Sequence, residues 1–135
     1  LGTNRADLVR AVFEGVAYNT RWMHTYVERF ARTTIAPLRI VGGGAQSELW
    51  AQILADVLNR PVERVAQPRL ANVRGAAFAG FAALGLLAWS AVPGLVEVAS
   101  RHQPSPANRA VYDRSYAAFL SLYKRTRRTY AKLNR

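Results

Sequence analysis

The chain has 135 residues, half of them hydrophobic, with 19 Lys and Arg against 8 Asp and Glu and no cysteine. That length suits one domain with a modest core, and the hydrophobic content excludes a disordered chain. Without cysteine there is no disulfide framework and no thiolate metal site, which fits a cytoplasmic origin, and no apolar run reaches the roughly 18 residues of a membrane span. Leu1 is not a start methionine and no signal peptide is visible, so the expectation is a segment of something longer.

The net charge of +11 has three readings. Lys124, Arg125, Arg127, Arg128, Lys132 and Arg135 crowd the end of the chain, and no acid follows Asp113. Such a tail can bind nucleic acid, can be a solvated helix face favoured by the helix C-terminal dipole, or can balance an acidic remainder of the protein. No helix-turn-helix, RNP or zinc pattern accompanies the charge, so the solvated face is preferred over nucleic acid.

Residues 4–33 read as one long helix. Leu8, Val12, Val16, Met23, Val27 and Phe30 recur at helical spacing, with Val9, Phe13 and Ala17 on an adjacent track. Thr3 or Asn4 can cap it, with Asp7 in its first turn. Two apolar stripes predict a helix covered on more than one side. Residues 38–41 form a short strand, and 42–45 a loop. Ser47 is the N-cap of a helix over 48–59, in which Leu49, Ile53 and Val57 share a face beside Trp50, Leu54 and Leu58. Residues 62–66 alternate as a second strand, and 67–72 form a loop. Residues 73–87 form an Ala/Gly-rich helix whose small residues allow a neighbouring backbone close approach. Pro93-Gly94 is a turn, and 95–102 is ambiguous between strand and helix. Residues 107–133 form an amphipathic basic helix with Tyr112, Tyr116, Phe119, Leu120, Tyr123, Tyr130 and Leu133 along one stripe.

The class is α/β, with few strands flanked by long helices. Two confident strands are thin for an independent domain. Either further strands come from elsewhere in the protein, or a partner chain, such as the second copy of a homodimer, covers the sheet edge.

The stretch RIVGGGAQSELW, residues 39–50, places three glycines between a strand and a helix. Backbone N–H groups at a helix N-terminus make a ready anion site. The dinucleotide fingerprint fails because Ser47 stands where its last glycine belongs, and no Lys follows to complete a Walker A loop. The residues alone leave a phosphate contact and a tight packing turn equally open. His24 and His102 lack a nucleophile nearby in sequence and read as structural or surface residues. No His pair or carboxylate cluster has metal-ligand spacing. Glu14 is a partly buried carboxylate, a backbone cap, or a partner of Arg10 or Arg21. Asp56 is a buried acid or the partner of Arg60 at i+4. Trp22, Trp50 and Trp89 read as core or rim packing.

GGGAQSELWAQILADVLNRPV, residues 42–62, resembles the ATP-binding segment of the C-terminal domain of FGGY carbohydrate kinases. The matching residues are Gly42, Gly43, Gly44, Ala45, Ser47, Trp50, Gln52, Ile53, Ala55, Asp56, Val57, Pro61 and Val62. DLVRAVFEGVAYNTR, residues 7–21, is similar to the family's signature helix through Asp7, Leu8, Ala11 and Glu14. RGAAFAGFAALG, residues 74–85, is similar to its G-A-A-x-x-A-x-x-x-x-G helix. The Pro-rich break before a Tyr-rich helix resembles xylulokinase-type members.

The resemblance implies the C-terminal part of one lobe of an actin-like ATPase (ribonuclease H-like) fold over residues 1–135, with the basic amphipathic helix 107–135 within it. It implies that sugar and ATP meet in a cleft between two lobes, and that the first phosphate turn, the sugar-binding residues and the catalytic Asp lie N-terminal to this segment. No catalytic residue is therefore expected here, and the fragment alone is expected to be inactive. Gly43 and Gly44 would bring backbone amides to the ATP phosphates, and Ala45, Ser47 and Glu48 would line the adenosine side. Gln52 and Asp56 would support the loop. Mg2+ would be held by the phosphates and the other lobe. The reaction implied is γ-phosphoryl transfer to a sugar hydroxyl, xylulose first, with ribulose, gluconate and glycerol open. The competing readings are a non-catalytic basic module binding nucleic acid or another polyanion, and a kinase-like paralogue without catalysis.

Overall fold

The computed structural model describes residues 2–134. Leu1 and Arg135, the latter counted above with the basic tail, lie outside the described residues. Helix α1 (Arg5–Ala31) starts at a capping box: Asn4 Oδ1 accepts from Ala6 N–H at 2.8 Å and Asp7 N–H at 3.1 Å, and the Asp7 carboxylate accepts from Asn4 N–H at 2.9 Å. It ends at Arg32, which takes the left-handed conformation at φ 51°.

Strands β1 (Leu38–Ile40) and β2 (Val62–Val65) run parallel, with Leu38 opposite Val62 and Ile40 opposite Arg64. Parallel neighbours need a crossover, and α2 (Glu48–Leu58) supplies it. Its N-cap is Ser47, whose Oγ accepts from Trp50 N–H at 3.2 Å, and Asn59 closes it in the left-handed region. The ambiguous segment 95–102 is a strand: β3 (Val98–His102) pairs antiparallel with β2, giving the order β1-β2-β3. Its own residues carry little helix or strand bias. The neighbouring strand edge decides.

Helix α2 is the centre of the core. Ala51, Ile53, Leu54, Ala55, Val57 and Leu58 are buried, joined by Ala17 and Tyr18 of α1, by Val62, and by Tyr112 of α5 (Arg109–Leu133). Tyr18 packs its ring 6.3 Å from Tyr112 and 5.8 Å from Phe119. The aromatic stripe of α5 splits at its middle. Tyr112, Tyr116 and Phe119 pack on the core, Tyr123 meets Trp22 at 4.8 Å, and Tyr130 and Leu133 are exposed. A 3-10 turn over Pro106–Asn108 precedes α5, so the helix begins two residues later than its periodicity suggests.

Several expectations are corrected. Among the described residues helix α1 is covered on one side only, with Leu8, Val12, Val16, Met23, Val27 and Phe30 all exposed, Phe30 to 92%. Of that stripe, Val12 and Val16 border other described residues at the shallow cleft beside Gly44, Ser47 and Trp50. The Ala/Gly-rich helix α3 (Ala71–Ala83) has no buried residue, and a Cβ at Gly75 or Gly80 would meet nothing within 4 Å. Its small residues therefore receive no close neighbour among the described residues. Pro93-Gly94 lies inside a four-residue helix, α4 (Val92–Leu95), because proline is well suited to a first helical turn.

Glu63 is buried at the middle of the sheet, in register with Arg39 on one side and Arg101 on the other. Arg39 Nε donates to it at 2.9 Å and Arg101 Nε at 3.0 Å. These bonds, Arg39's foremost, outweigh burial and hold its carboxyl below the usual range. A depressed carboxyl stabilises the fold above its unfolded pKa, near 4.3, and loses that contribution as pH falls through the folded value. Glu63→Gln should therefore flatten the acid limb of melting temperature against pH below roughly pH 4.5. An acid limb identical to wild type would show that the ladder contributes nothing.

Candidate functional site

The three glycines sit at the carboxyl end of β1, where open α/β sheets bind ligands. The expected loop is instead one 3-10 turn over Gly43–Gln46, followed at once by α2. Each glycine has its own physical reason. Gly42 takes φ 82°, a conformation that penalises a side chain, and its N–H donates to Pro68 O at 2.9 Å. Gly44 is a packing glycine, since a Cβ there would lie 3.3 Å from Cδ1 and Nε1 of the Trp50 ring. Gly43 has neither constraint. A Cβ there would meet nothing within 4 Å, so the backbone borders open space. The N–H groups of Gly43 and Gly44 donate to no protein acceptor among the described residues. The sequence left a phosphate contact and a packing turn as alternatives, and the turn contains features of both.

The neighbouring candidates divide in the same way. Ala45 is buried, with its carbonyl accepting from Arg64 Nε at 2.7 Å. Ser47 is exposed but its hydroxyl is engaged in the helix cap. Glu48 is exposed and its Oε1 lies 2.7 Å from Arg64 Nη1. Arg64 was not singled out from sequence. Its place in the Val-Glu-Arg-Val alternation put it on the same strand face as Val62, beside Ala45, and that was the available signal.

Asp56 is buried but does not pair with Arg60, which reaches Glu28 on α1 instead. Its carboxylate accepts from Gln52 Nε2, Ser105 N–H and Asn108 Nδ2, each at 2.8 Å. Gln52 Nε2 also donates to Gln103 O at 2.9 Å. Asp56 and Gln52 thus anchor the passage from β3 into α5, where a negative group is favoured by the helix N-terminus. Neither hydrogen-bonds to the glycine turn. Glu14 joins Arg10 and Tyr112: Arg10 Nε donates to it at 2.8 Å and Tyr112 Oη at 3.0 Å, tying α1 to α5. Burial pushes the Tyr112 hydroxyl above its ordinary pKa. His24 lies beside Glu28, and His102 sits between Gln52 and Ser100. Trp50 is half-buried and Trp89 is exposed.

Residues 1–84 match the model of the FGGY family of carbohydrate kinases, C-terminal domain. The chain belongs to that family. An autoinducer-2 kinase from Enterobacter sp. (strain 638) is 34% identical over 122 residues, 89% of this chain and 23% of its own length. A xylulose kinase from Staphylococcus epidermidis is 28% identical over 134 residues, 96% of this chain and 26% of its own. The crystal structure of xylulose kinase from Rhodospirillum rubrum superposes with a TM-score of 0.78 at 34% identity, over 97% of this chain and 27% of that one. The chain thus spans about a quarter of the length of the relatives it matches. The FGGY domain is α/β, as its residues indicated, and part of an actin-like ATPase lobe, as the resemblance implied. No helix among the described residues is long and apolar enough to cross a membrane.

Proposed function

We propose that this domain supplies part of the nucleotide site of a cytoplasmic, ATP-dependent carbohydrate kinase. The observation that carries the reading is Gly43: its amide is free, its Cβ side is open, and it stands where a strand enters a helix. Charge-assisted hydrogen bonds from such amides suit a phosphate oxygen. ATP, when bound, supplies the γ-phosphoryl group that passes to a sugar hydroxyl. Gly43 and Gly44 donate N–H groups to its phosphates, Gly42 sets the turn, and Ser47 and Glu48 form the adenosine-side rim over the buried Ala45. No cluster of three His, Asp or Glu side chains among the described residues is placed to hold a metal, and the proposal gives Mg2+ to the phosphates and the rest of the protein. Xylulose, or a related pentulose or polyol, is the proposed acceptor, supported by the xylulose kinases among the relatives. A panel of sugars tested with Mg-ATP and the intact protein checks this: phosphate transfer to a pentulose is expected, and no transfer to any sugar or polyol would contradict it.

The 135-residue chain by itself is expected to be inactive, because the resemblance to FGGY kinases implies a catalytic Asp outside this segment. ADP release by the purified chain in the presence of xylulose should stay at background. Sugar-dependent turnover by that sample would overturn this prediction.

The end of α5 supports one other reading. Lys124, Arg125, Arg127, Arg128 and Lys132 are exposed and form no ion pair among the described residues, as a polyanion-binding helix would require. A salt titration of DNA binding tests it: affinity falling steeply with salt and with neutralisation of 124–128 supports that reading, and no binding removes it.

A further inference from the structure

We infer that Arg64 is a positioning residue for the nucleotide turn, an inference that rests on the nucleotide reading above. Its guanidinium is largely buried under the turn and donates from all three of its nitrogens. Nε donates to Ala45 O at 2.7 Å, Nη2 to Gln46 O at 3.2 Å, and Nη1 to Glu48 Oε1 at 2.7 Å and Ser100 Oγ at 3.3 Å. One side chain thus joins β2, β3, the 3-10 turn and the first residue of α2.

Two consequences follow for an anionic ligand. First, carbonyl oxygens repel phosphate, and Arg64 holds those of Ala45 and Gln46 toward the sheet, while the Gly43 and Gly44 amides stay free of protein acceptors. Second, Glu48 is an exposed carboxylate four residues from Gly44, and Arg64 supplies the charge that offsets it. A planar fork can satisfy these acceptors together, and an ammonium cannot.

The test is the Kd for Mg-ATP of the intact protein by titration calorimetry, read beside the melting temperature. Arg64→Met should weaken ATP binding by about tenfold or more, with the KM for sugar little changed. Adding Glu48→Gln should recover part of that loss, because it removes the uncompensated charge. Recovery on that background separates positioning from general destabilisation. Arg64→Lys should fall between wild type and Arg64→Met. Arg101→Met, a sheet arginine bound to Glu63 and not to the turn, should keep its ATP affinity even if it melts earlier. Unchanged ATP affinity in Arg64→Met, or in Arg64→Lys should the methionine variant not fold, overturns the inference while leaving the nucleotide reading standing. A wild-type protein that binds no ATP overturns both.

Discussion

Gly43→Val should weaken nucleotide binding by roughly a hundredfold and leave the fold intact. The substituted side chain starts into open space, its Cβ meeting nothing within 4 Å among the described residues, at a φ outside the left-handed region. The unfolded chain also loses freedom, which favours the variant slightly. The cost falls on the ligand, because the branched side chain occupies the space a phosphate must enter. Losing two amide-to-phosphate contacts amounts to about 3 kcal/mol, roughly a hundredfold in Kd. Gly44→Val provides the contrast. Its Cβ would press on the Trp50 ring, which packs 5.3 Å from Phe13 of α1, so stability and binding should fall together. Calorimetric titration of both variants, with a thermal melt of each, checks the pair. A Gly43→Val protein that binds ATP like wild type would refute the assignment of that amide.

The second large effect is expected at Asp56. In Asp56→Ala, Ser105 N–H and Asn108 Nδ2 lose their acceptor and Gln52 loses one of its two. Hydrogen bonds to a buried carboxylate are among the strong ones, and the groups left behind carry their own desolvation cost. The expected loss is about 3 kcal/mol, or roughly 10 °C in melting temperature for a domain of this size. Asp56→Asn keeps one acceptor oxygen and should recover part of it. ATP affinity measured well below the melting point should be unchanged, because Asp56 anchors α5 and not the turn. A melting temperature like wild type would contradict this role.

Much of this was legible in the residues. The cap at Asn4 with Asp7 in the first turn and the N-cap at Ser47 are local chemistry, so helix starts there needed no tertiary knowledge. β3 was not legible, because Val98–His102 is a strand only by virtue of its edge against β2. The stripe of α1 shows a related limit: periodicity identifies an apolar face and not what covers it, and among the described residues that face is exposed. At the site, the glycine run was visible but its division of labour was not. Gly42 is explained by a dihedral angle, Gly44 by the distance to Trp50, and Gly43 by open space, and none of these is a property of the letters. Arg64 escaped notice because two of its partners are main-chain carbonyls, which carry no sequence signal, and its side-chain partners Glu48 and Ser100 lie 16 and 36 residues away.

The most direct test follows the amides themselves. Hydrogen exchange at Gly43, Gly44 and their neighbours in the intact protein, measured with and without Mg-ATP, reports whether phosphate engages this turn. Slowed exchange at Gly43 and Gly44 on adding Mg-ATP is the predicted result. Exchange at both that is unchanged under saturating Mg-ATP would contradict the placing of the nucleotide phosphates on this glycine turn.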